Sequence, residues 1–283
     1  MYINQRAALI LLAVPLLFLV AFFAVPFGVV LLDSFRNESG FSLDQYVKLV
    51  DGWFYAETLW FTFKISAWVT LVSFIIGYPL AYVMTRVIQR RWLRRLMYVI
   101  VITPLFTSNI VRSFGWMILL GRRGLINEGL LFVGVIDRPL MLLNNEFAIV
   151  VGMAYIMTPF MVLTIAAVLQ NIDSSLEHAA RDLGANPLTT FCKITFPLSL
   201  PGVVAGALIV FTLSVSAYVT PSILSGGKKT VMSMLIYQQY AALFDFHFGA
   251  ALAVALLMTT LVLISFSMLL APKHAHGTPS SRS

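Results

Sequence analysis

The chain has 283 residues, a formal net charge of +7, and a composition in which 59% of residues are hydrophobic and only 11% charged. A soluble domain carries about a quarter of its residues as Asp, Glu, Lys and Arg, so a water-soluble enzyme is excluded and an integral membrane protein is indicated. In a soluble chain the positive balance would suggest nucleic acid, but here the basic residues cluster between apolar segments.

A helical crossing needs about 20 apolar residues, and six stretches meet that length: 7–32, 58–85, 96–120, 147–170, 200–224 and 246–271. The first follows Arg6 and is longer than the apolar region of a cleaved signal peptide. Its Pro15 and Pro26 predict bends that membrane neighbours tolerate. Arg86, Arg90, Arg91, Arg94 and Arg95 stand between the second and third stretches, where the positive-inside rule expects cytoplasm. Six crossings then put both termini and the 173–197 segment on that same side. Arg122, Arg123, Arg138, Lys228 and Lys229 fall outside, together with Asp33, Glu38, Asp44, Asp51, Glu128, Asp137 and Glu146.

The expected fold is all-α with six transmembrane helices. A core of 58–271 follows a first helix and outer loop at 1–57 and precedes a disordered cytoplasmic tail at 272–283. No repeat of the halves suggests an inverted-repeat carrier. Cys192 is the one cysteine, so no internal disulfide can form, and it is expected to be a buried small residue. The His274-x-His276 pair in a Pro/Ser/Gly-ending tail is read as solvated chain, not a metal site.

The polar segment 173–197 departs from this apolar background. Ser174 and Glu177 stand in capping-box relation, and Leu176, Ala179, Ala180 and Leu183 share one helical face. Gly184 supplies a left-handed stop, and Asn186-Pro187 an N-cap and first-turn proline for a second short helix. The pattern is helix, turn, helix, with a face that can dock.

The chain has no G-x-x-x-x-G-K-S/T phosphate loop, so energy is expected from a partner or a gradient. Ionisable residues in membrane spans usually mark function, and only Lys64 and Arg112 are candidates. Lys64 is expected to snorkel outward along its stem; Arg112 reads equally as an interfacial anchor or a cavity wall. The remaining polar residues of the spans are Thr103, Ser108, Asn109, Tyr155, Thr158, Ser214, Ser216, Tyr218 and Thr220. Each is expected first to hydrogen-bond between packed helices. Asn109, Arg112, Tyr155, Thr158, Ser216, Tyr218 and Thr220 are the candidates for lining a path. Pro104, Pro159 and Pro221 can serve as hinges or static bends.

The motif Ala179-Ala180, Gly184, Ile194, Pro197 resembles the EAA loop of the membrane subunits of ATP-binding-cassette importers. The family glutamate falls on His178 and the family leucine on Phe196. Arg112-Ser-Phe-Gly-Trp116, Pro159-Phe-Met-Val-Leu163, Tyr218-Val-Thr-Pro221 and Phe248-Gly-Ala-Ala251 resemble the polyamine-type branch. The resemblance implies a type I importer permease fold with a cytoplasmic coupling helix in a bacterial inner membrane. Glu177, His178, Ala179, Ala180, Gly184, Ile194 and Pro197 would meet the ATPase. It implies a second permease subunit, two ATPase subunits and a periplasmic solute-binding protein as partners, with ATP and Mg held by the ATPase and no cofactor on this chain. The solute would be small and polar, a polyamine or related amine, with Glu57 and the outer acids serving the entrance at most. The competing reading is a gradient-driven secondary transporter or channel.

Overall fold

In the computed structural model the backbone of residues 5–37 and 40–270 is described, with side chains at 11–37, 40–267 and 269. Glu38, Ala271 and the tail with His274 and His276 lie outside the described residues.

Among the described residues five helices are long and apolar enough to cross a membrane: Leu11–Asp33, Trp53–Val87, Glu146–Asn171, Pro187–Val215 and Phe246–Ser267. They are the first, second, fourth, fifth and sixth spans. The third span differs from the straight helix expected over 96–120. Helical segments Arg91–Phe106 and Asn109–Phe132 meet at a 99° bend. Pro104 opens a short 3-10 turn, Thr103–Phe106, because its ring and missing N–H cannot continue the helix. Counting apolar residues registers length and is blind to direction.

The fifth span also differs from expectation. It begins at Pro187 and ends at Val215, so the second short helix expected in the loop is the start of the span itself. After a break at 216–218 the chain resumes as Val219–Leu224. Pro221 has no N–H to give the carbonyl of Ala217 four residues back, and that carbonyl accepts from Ser233 Oγ at 2.6 Å.

The second, fourth and fifth spans pack as the central trio around buried Ile65, Val69, Met153, Met161, Ile165, Leu169 and Val210. Small residues allow the approach, as in other membrane helix pairs. A Cβ on Gly206 would lie 2.4 Å from Thr164 Oγ1 and 2.8 Å from Met161 Sδ. Tyr78 adds a buried hydrogen bond to Ser199 at 2.8 Å and ring contacts to Phe191 and Phe196. The first span packs on the sixth, and its apolar residues Leu11 to Phe23 are otherwise open. A two-residue ribbon pairs Arg36 with Phe41 and Asn37 with Gly40, and the amphipathic helix Asp44–Asp51 leads into the second span.

Candidate functional site

At the loop end of the bundle the helix Ser174–Asp182 is capped by Asp173, whose carboxylate accepts from the Ser175 amide at 2.9 Å. This corrects the capping box expected from Ser174 and Glu177: in the run Asp173-Ser174-Ser175 any residue could cap, and the acid takes the position. The Ser175 amide holds the Asp173 carboxyl below its ordinary value, with a smaller contribution from Arg86. The helix stops as expected at Gly184, whose φ is +85°. Gly184 N donates to Arg181 O at 2.9 Å and Ala185 N to Ala180 O at 3.0 Å, the paired bonds of a Schellman ending. Asn186 caps the following helix through Thr189 N at 2.7 Å.

His178, Ala179 and Gly184 are exposed, Ala180, Ile194 and Pro197 half-buried. Leu176, Leu183 and Leu188 project, Leu183 with 89% of its surface open. Leu176 and Leu183, seven positions apart, leave apolar surface open along the loop helix, and Leu188 does so at the start of the fifth span. Glu177 points the other way. Its carboxylate lies 3.2 Å from Arg86 Nε with side chains 9% and 12% exposed, and it accepts from Thr195 Oγ1 at 2.9 Å. Arg86 Nη2 also donates to Ile172 O at 2.9 Å. Arg86, read from sequence only as a topology charge, is thus an internal partner; no local pattern signals a contact across 91 positions. Cys192 is exposed, not buried as expected, because the π-helical turn Phe191–Thr195 faces Thr195 inward and leaves Cys192 and Lys193 outside.

Of the residues expected to line a path, Asn109 and Arg112 are neighbours one turn apart on the helix that follows the bend, Asn109–Leu120. Arg112 Nη2 donates to Asn109 Oδ1, and its Nε and Nη1 are shielded without a hydrogen-bond partner. This guanidinium lies against the protein and is not extended as an anchor. Tyr155 stands edge-on to Trp116 at 5.7 Å. Both line a cavity of about 370 Å³ with Thr158, Pro104 and Pro159. The Thr158 hydroxyl itself returns to Ala154 O at 2.7 Å. Ser216 is exposed in the break of the fifth span, and Tyr218 stacks on Tyr237 with centroids 4.4 Å apart. Thr220 does not face open space. It is buried and 3.0 Å from Ser113 Oγ, joining Asn109–Leu120 to Val219–Leu224.

The second span starts at Trp53, earlier than expected, and Lys64 reaches Glu146, the first residue of the fourth span, 2.7 Å from Nζ to Oε2. Lys229 lies 3.7 Å from the other carboxylate oxygen and 5.3 Å above the Phe61 ring. Asn145 caps the fourth span through Ala148 N at 2.9 Å, which fixes where Glu146 stands.

A bundle of apolar spans with one capped polar loop is an arrangement with known counterparts. The family described as "Binding-protein-dependent transport system inner membrane component" matches residues 73–271. The chain belongs to that family. The spermidine/putrescine transport system permease protein PotB of Escherichia coli K12 is 34% identical over 216 residues, covering 76% of this chain and 78% of the relative. The protein of that name from Haemophilus influenzae is 29% identical over 269 residues, 93% of each. A crystal structure of a bacterial ABC transporter involved in importing the acidic polysaccharide alginate superposes with a TM-score of 0.75. It covers 94% of this chain and 95% of that one at 18% identity, a likeness of fold. The chain is a multi-pass inner-membrane permease subunit of an ATP-driven importer, a transport component and not an enzyme. It works with an ATPase and a binding protein, which replaces the gradient-driven reading. The family match begins inside the second span and leaves the first outside it.

Proposed function

We propose that this importer permease forms half of the membrane path for a small organic amine of the polyamine class. It pairs with a second permease subunit, two ATPase subunits and a periplasmic binding protein. Both termini and the 173–197 loop face the cytoplasm, in keeping with Arg90, Arg91, Arg94 and Arg95 at that end. ATP and Mg are bound by the ATPase subunits. The observation that carries this reading is the loop helix, closed by Gly184 and presenting Leu176 and Leu183 uncovered, as Leu188 is at the start of the fifth span. Such a loop loses its exposed apolar surface when it seats in a groove of the ATPase.

The names of the relatives favour spermidine and putrescine as solutes. No carboxylate stands among Asn109, Arg112, Tyr155, Thr158, Ser216 and Tyr218, but aromatic faces do. The half-exposed pairs Trp116–Tyr155 and Tyr218–Tyr237 offer ring faces on which an ammonium can rest without binding tightly. The test is uptake of labelled putrescine and spermidine into liposomes holding the complete complex, with ATP inside or withheld. A Leu183→Cys variant is probed in parallel for crosslinking to the ATPase, in a Cys192→Ser background because the native thiol is exposed. ATP-dependent uptake with a crosslink supports the reading. Uptake of neither amine in a complex that transports another solute overturns the substrate, and a missing crosslink in an active complex overturns the loop's role.

A further inference from the structure

Three span ends meet around Glu177, two of them directly and the third through Arg86. Arg86 lies in the π-helical turn Val83–Val87 at the end of the second span, Ile172 at the end of the fourth, and Thr195 in the π-helical turn Phe191–Thr195 that opens the fifth. The Glu177 carboxylate accepts from the Thr195 hydroxyl at 2.9 Å and forms an ion pair with Arg86 Nε at 3.2 Å, a contact outside hydrogen-bond geometry, while Arg86 Nη2 donates to the Ile172 carbonyl at 2.9 Å. Both turns depart from the regular helical ladder at the residue that makes the contact, and π-helical turns are frequent at functional positions.

We infer that the Arg86–Glu177–Thr195 cluster is the joint through which the loop helix moves the second and fifth spans. Glu177 is a positioning residue inside the permease and does not meet the ATPase. This rests on the proposed docking of the loop. A charge pair so little exposed resists separation, because opening it leaves an uncompensated charge in a low-dielectric setting. The loop helix and the feet of the two spans therefore move together. His178, one residue on, is exposed and is left to face the partner, so adjacent positions divide the two tasks.

The test uses the complete complex in liposomes and reads solute moved per ATP hydrolysed, with the quantity of assembled complex measured beside it. Glu177→Gln is expected to lower that ratio about tenfold, since the neutral amide leaves Arg86 unpaired. Thr195→Val is expected to lower it about threefold through loss of one hydrogen bond to a charged group. The exchange Arg86→Glu with Glu177→Arg is expected to recover part of the ratio. A ratio within twofold of wild type for Glu177→Gln in assembled complexes overturns the inference. So does failure of the exchange and Thr195→Val to assemble, which would make the cluster a folding element alone. The Leu183→Cys crosslink is scored in the same variants. A crosslink retained with an unchanged ratio rejects the joint and spares the docking, whereas a crosslink absent from active wild type rejects the docking.

Discussion

The two ends of this permease each carry an ion pair between distant segments, and they are built oppositely. At the loop end Arg86 and Glu177 are 12% and 9% exposed, with the Thr195 hydroxyl on Glu177 and the Ile172 carbonyl on Arg86 Nη2, while Arg86 Nε has the ionic contact alone. At the far end Lys64 and Glu146 are 39% and 37% exposed, and Lys229 shares the carboxylate from 3.7 Å. A shielded pair is costly to separate, because each charge would be left uncompensated. A wet carboxylate with two ammoniums can exchange one for the other at little cost, because solvent screens each pairing. The loop-end pair is the costly one to open and the far-end pair the cheap one.

Breaking each pair separately should expose the contrast. Arg86→Ala strands a buried carboxylate and is expected to cost about 3–5 kcal/mol, read as a large fall in thermal stability of the purified subunit in detergent. Gly184→Val comes next, because a Cβ in the left-handed region costs about 1–2 kcal/mol and more for a branched side chain. The measurable outcome is ATPase activity no longer stimulated by loaded binding protein, and full stimulation would mean the turn tolerates another backbone. Lys64→Ala is expected to cost about 1 kcal/mol or less, with the difference shrinking further in high salt; a loss as large as that of Arg86→Ala would erase the distinction between the ends. Smallest of all, His178→Glu restores the glutamate of the EAA motif that the loop resembles and should leave ATPase co-purification equal or tighter. Loss of the ATPase on that change would mean the partner's groove is fitted to imidazole.

The features legible in the sequence were those written locally. Apolar length located five spans, Gly184 ended the loop helix, and Asn186-Pro187 started the next. Three features escaped for physical reasons. A run of apolar residues has the same composition straight or bent, so the 99° turn after Pro104 was hidden within 96–120. Asp173, Ser174 and Ser175 can all cap a helix, and only the backbone decides among them. The pairs Arg86–Glu177 and Lys64–Glu146 join residues more than 80 positions apart, so neither partner can be read from the sequence around the basic residue. The site follows the same division: the projecting leucines are read from the loop itself, the aromatic pairs and the buried Thr220 only from the fold.

The fifth span stays helical from Pro187 in the loop, through the π-helical turn Phe191–Thr195, to Val215 beside the exposed Ser216, 29 residues in all. At 1.5 Å per residue it is about 43 Å long. Pivoted near the loop, a tilt of roughly 10° would carry its far tip through about 7 Å, the width of a small amine, by the rise per residue alone. Mechanical advantage on this scale lets a displacement of an ångström or so at the ATPase become an aperture at the opposite face.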